Sequence, residues 1–91
     1  MLMIAWTTVA TREAADRLAQ ACVSARLAAC AQIEGPITSV FHWEGRIDQS
    51  TEYRHTFKVL PENLDPLAAQ VFALHAYETP EWIVCKASHV S

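Results

Sequence analysis

The chain opens on an unbroken apolar run, MLMIAWTTV, and at Thr11 its apolar period changes abruptly to that of a helix. This change constrains the fold more than any other feature. A continuous apolar run reads as a central strand buried in a sheet. Ala15, Leu18, Ala19, Cys22 and Val23 then recur at i, i+3, i+4, i+7 and i+8 on one helical face. Thr11 is placed to cap that helix, with Glu13 in its positively polarised first turn. The face is rich in small residues, so the helix can lie close on the strand.

After this helix the strand period returns. LAACAQIEGPITSVFHW reads as a long strand, with Gly35-Pro36 marking a bulge or bend. Beyond it Ile37, Ser39, Phe41 and Trp43 alternate with Thr38, Val40 and His42. EGRI supplies a tight turn through Gly45, and TEYRHTFKV is the return strand, with Tyr53, His55, Phe57 and Val59 on one face. In PENLDP, Asp65 as N-cap and Pro66 at the first helical position start a second helix. Leu64, Leu67, Ala68, Val71, Phe72 and His75 share its face. A last strand, EWIVCKAS, follows Pro80. The order β-α-β-β-α-β, with right-handed crossovers, predicts an α+β ferredoxin-like sandwich with an antiparallel sheet of order 4-1-3-2 in a single domain over residues 1–91.

Composition points to association. Hydrophobic residues make up 52% of the 91 residues and charged ones 19%, while a chain this small buries only roughly 60–65% of its unfolded surface. Apolar surface is left over, and the edge strands 2 and 4 invite pairing with another chain. The net charge of −3 and the lack of a Lys/Arg stripe exclude nucleic-acid binding. The apolar start is too short for a signal peptide or a membrane span. Cys22, Cys30 and Cys85, odd in number and widely spaced, read as reduced thiols of a cytoplasmic protein. Cys30 and Cys85 lie on the two edge strands, as small buried hydrophobes that meet only if an interface joins them.

The densest chemistry lies in ALHAYETPEW, residues 73–82. His75, Glu78 and Glu81 bind a divalent cation if the turn folds them together; otherwise His75 caps the last helical carbonyls and the carboxylates are solvated. His42, His55 and His89 lack neighbours at ligand spacing and read as surface or strand-packing residues. No Cys-His pair, GxSxG, HExxH or Gly-rich phosphate loop is present, so no enzyme activity is expected. Phe41 and Trp43, near the hairpin tip, either anchor a partner or pack on their own helix layer.

ARLAACAQI, SVFHWEGRI, FKV and LHAYETPE resemble, in order and spacing, the motifs of the CutA divalent-ion tolerance family over about residues 4 to 85. The resemblance implies a tight homotrimer whose sheets interlock through edge strands and the long hairpin, and a link to tolerance of copper and other divalent metals. It also implies that Trp43, Lys58, Tyr77, Glu78 and Glu81 line clefts between subunits. Three departures stand out. Trp6 occupies the place of a strand-1 Cys implicated in copper binding in some members, and Leu74-His75 stands where those members carry two His. Ala76 replaces the Pro that usually follows. The chain also stops at Ser91, so the short final helix of the family is expected to be absent. The expectation is a non-enzymatic, cytoplasmic homotrimer needing no cofactor, with weak Cu(II) or Zn(II) binding through His75 at most. The competing readings are a PII-like module sensing a small ligand in its intersubunit clefts and a stable trimeric scaffold for a partner protein.

Overall fold

A computed structural model describes residues 1–91. Strand β1 (Met3–Val9) leads into helix α1 (Arg12–Ser24), and the strands β2 (Cys30–Trp43) and β3 (Arg46–Val59) follow as a long hairpin. A 3-10 turn (Pro61–Asn63), helix α2 (Leu64–Leu74) and strand β4 (Ile83–Lys86) complete the order; no helix follows β4. The sheet order β2-β3-β1-β4 is the expected 4-1-3-2 read from the other edge, and every pairing is antiparallel.

The core lies between the sheet and the helices. Ala5, Phe57 and Val59 from β1 and β3 meet Ala15, Leu18 and Cys22 of α1 and Leu67 and Val71 of α2, all buried. Thr11 caps α1 through its hydroxyl, which accepts from the Ala14 amide at 3.1 Å. Val23, expected on the buried face, is exposed, while its neighbour Cys22 in the same last turn is fully buried. Helix α2 starts earlier than the Asp65-Pro66 signal predicts. Asn63 occupies the N-cap and Asp65 lies within the first turn, since the 3-10 turn from Pro61 already sets the backbone. Phe72 is exposed and meets Trp82 edge-on, with ring centroids 5.8 Å apart.

The hairpin is longer than its apolar alternation indicates. Trp43 pairs with Arg46 around a two-residue turn whose residues, Glu44 (φ 51°) and Gly45 (φ 77°), both have positive φ, as a type I′ turn requires. Its register slips once, between Glu34 and Ile37, at the predicted Gly35-Pro36 irregularity. Strand β1 ends at Val9 opposite Tyr53, so the hairpin beyond that point is a two-stranded ribbon with no third strand. Val40, Trp43 and Ile47 on it are exposed.

Candidate functional site

The connection from α2 to β4, residues 75–82, is held by four hydrogen bonds that involve side chains. His75 has extended backbone angles (φ −77°, ψ 135°) and ends α2. Its Nε2 lies 2.7 Å from the Thr8 carbonyl, and its Nδ1 accepts from the Tyr77 amide at 3.1 Å. A carbonyl only accepts and an amide only donates, so the ring is the neutral Nε2–H tautomer with both nitrogens engaged. This corrects the expectation that His75 caps helical carbonyls: it ties the end of α2 to β1. Further on, the Thr7 hydroxyl donates to the Glu81 carbonyl at 2.7 Å, guiding the chain into β4.

With His75 in place, the Tyr77 ring lies 4.8 Å from the imidazole, centroid to centroid, and its hydroxyl donates to Glu52 Oε2 at 2.9 Å. Burial, reinforced by the Glu52 carboxylate as hydrogen-bond acceptor and as charge, pushes the Tyr77 phenol up to about 12. Around this pair opens a polar cleft of about 690 Å³. Thr8 of β1, Ser39, Phe41 and Ser50 of the ribbon, and Thr79 and Glu81 also line it. Two carboxylates and several hydroxyls thus face one space, a donor set suited to hard cations or to a small polar ligand.

Of the residues expected in a cleft, Tyr77 and Glu81 line this one. Trp43 and Lys58 do not meet within the chain. Trp43 lies at the hairpin tip, while Lys58 pairs with Cys30 and Ile4 at its base, about 40 Å away along β3. Glu78 is exposed beside the cleft without lining it. Glu52, Ser39 and Ser50 were not singled out by sequence; they carry no motif, and only the fold sets them against Tyr77. No group of three His, Cys, Asp or Glu side chains converges within the chain to hold a metal ion. Cys85, expected to be buried, is exposed, because β4 is an outer strand with nothing beyond it; Cys30 is half-buried and Cys22 fully buried.

His55 is the other unusual group. It is buried, stacked on Phe57 at 5.4 Å, and bonded through Nε2 to the Ala15 carbonyl at 2.8 Å. Its Nδ1 has no partner. Burial holds its pKa below the usual 6.5, with nearby His75 acting in the same sense.

A four-stranded antiparallel sheet with two helices on one face, and a polar cleft where the last crossover meets a projecting ribbon, define a ferredoxin-like α+β protein of the PII-like architecture. The CutA1 divalent ion tolerance protein family matches residues 3–91, and the chain belongs to that family. Chloroplastic CutA of Arabidopsis thaliana is 38% identical over 81 residues, covering 89% of this chain but 44% of its own length. The chain therefore spans less than half of that curated relative. Among solved structures, Cut A1 from Thermus thermophilus superposes with a TM-score of 0.95 at 31% identity, covering 100% of this chain and 88% of the other. A protein of Nostoc sp. PCC 7120 described as a PII-like CutA in its apo form gives 0.87 at 28% identity, over 94% and 81% of the two chains.

Proposed function

We propose that the protein acts as a homotrimeric, non-catalytic component of divalent-ion tolerance, copper included, in the cytoplasm, and that its working surface is the cleft at Glu52, Tyr77 and Glu81. The observation that carries this reading is the projecting ribbon. A two-stranded hairpin is marginal in water by itself, yet this one exposes Val40, Trp43 and Ile47 beside a cleft that is open on one side. A neighbouring subunit covers such a surface and closes such a cleft. The distance between Trp43 and Lys58 fits the same picture, since they reach one cleft only from different subunits.

Metal ions, on this reading, act weakly and through oxygen. His75 offers a cation a nitrogen only if the Tyr77 amide gives up its bond, and soft copper favours thiolate or several imidazoles over carboxylates. A second reading, small-ligand sensing in the cleft, is supported by the likeness to the PII-like Nostoc protein and by the hydroxyl-rich lining. Sedimentation and a thermal-shift screen test both. A trimer stabilised by Cu(II) or Zn(II), with Glu81→Gln abolishing the shift and His75→Ala leaving it, supports the metal reading. Stabilisation by nucleotides or small acids instead selects the second. A monomer at micromolar concentration removes the shared premise.

A further inference from the structure

A second cavity, of about 730 Å³, lies on the helical side of the molecule between α1 and the chain leaving α2. Ala14, Leu18 and Ala21 of α1 form one wall, and Leu74, Ala76 and Tyr77 the other. Ala14 and Ala21 end at Cβ and leave the gap open at their positions, and Leu74 stays 53% exposed. The volume and the mainly apolar lining match sites for drug-sized molecules, which add a few polar groups to fix orientation.

Those polar groups are present at the rim. Asp16, Arg17 and Gln20 border the cavity. Arg12 and Asp16 neutralise each other at 3.1 Å, whereas Arg17 has no ion pair and Gln20 no side-chain hydrogen bond. Residues three apart on a helix are neighbours, so a free guanidinium and a free amide stand together over an apolar slot. His75 closes the slot without adding charge, because both of its nitrogens are engaged.

We propose that this slot binds an amphipathic monocarboxylate, with its carboxylate on Arg17 and Gln20 and its apolar body against Ala14, Ala21 and Leu74. Guanidinium and carboxylate match in geometry and charge. A single free cation beside Asp16 disfavours a phosphate or a nucleotide, which carry more negative charge than the rim can neutralise. The slot is separate from the cleft of the proposed function, although Tyr77 lines both.

The test titrates the full-length chain with naphthoate, the neutral naphthalenemethanol and the cationic naphthylmethylamine, followed by ligand fluorescence. Naphthoate is expected to saturate one site per protomer and to bind about tenfold more tightly than either analogue, a difference of about 1.4 kcal/mol. Arg17→Gln should lower naphthoate to the level of the alcohol, and Ala21→Phe should abolish binding of both while circular dichroism stays unchanged. Equal affinities for the three probes, or naphthoate binding insensitive to both substitutions, overturn the proposal. So does a change in sedimented mass with Ala21→Phe, which would mean that a second copy of the chain fills the slot.

Discussion

The Tyr77 hydroxyl donates to the Glu52 carboxylate across 2.9 Å, joining residues 25 positions apart and fixing the chain after α2 to the base of the hairpin ribbon. Removing the hydroxyl leaves a half-buried carboxylate without its donor. Hydrogen bonds to charged groups contribute about 1.5–3 kcal/mol; at this partly exposed site Tyr77→Phe should cost about 1 kcal/mol in urea unfolding. The phenol also sets an alkaline limit. Its folded pKa, about 12, lies above the ordinary 10.0, so the stabilisation is complete below 10.0 and is lost as pH rises toward 12. Spectrophotometric titration should show one tyrosine ionising late, and Glu52→Gln should bring that ionisation down toward 10.

His55 makes stability pH-dependent at the acid end. Its pKa in the fold lies below 6.5, so near neutral pH both folded and unfolded chains hold it uncharged. As pH falls below 6.5 the unfolded chain takes up a proton first, and stability declines until the folded pKa is reached. Denaturant midpoints should therefore fall as pH drops from 7 through this window. In His55→Leu, which keeps an apolar side chain against Phe57, that slope should flatten above the carboxylate range. An unchanged slope would assign it to other groups.

Gly35 has no room for a side chain. A Cβ there would stand 2.5 Å from Tyr53 Cδ2 and 3.1 Å from the Glu52 carbonyl oxygen, at φ +155°. Tyr53 packs against the core and cannot swing clear. Gly35→Ala should destabilise by about 2–3 kcal/mol, the range of overpacking plus backbone strain, read as a lower urea midpoint with little change in m.

The thiols should differ sharply in reactivity. Burial raises Cys22 to about 11, which leaves almost no thiolate at neutral pH. Iodoacetamide should leave Cys22 unmodified in the native protein and label it once urea unfolds the chain. Mass spectrometry of the digested protein distinguishes the sites; rapid native labelling of Cys22 would contradict its place on the buried face of α1.

Much of the fold is legible in sequence because both helices and the base of β3 each bury one face, and burial writes a period, while β1, central in the sheet, shows as an unbroken apolar run. His55, Phe57 and Val59 alternate as predicted and are all buried. The first part of β3 carries no such mark. Asp48, Gln49 and Ser50 lie on a ribbon exposed on both sides, so nothing selects polar or apolar at alternate positions, and the strand reads as starting only at Thr51. The cleft was half visible. Tyr77 and Glu81 belong to a recognisable motif, but their partner Glu52 becomes one through a contact between distant segments. The tautomer of His75 is likewise set by Thr8, 67 positions away.

The register slip in β2 has a larger effect than a local bend. Ahead of it, Ala31 and Ile33 pair with Phe57 and His55 on the helix-covered side; past it, Ile37, Ser39, Phe41 and Trp43 pair with Glu52, Ser50, Asp48 and Arg46. Odd-numbered residues have changed sides. One inserted position thus acts as a frameshift in a code whose only two letters are inward and outward. A ladder of the same length without the slip would shift every downstream pair by one, setting Phe41 opposite Ile47 instead of Asp48 and turning Phe41 and Trp43 to the helix-covered side, with Val40 and His42 on the other.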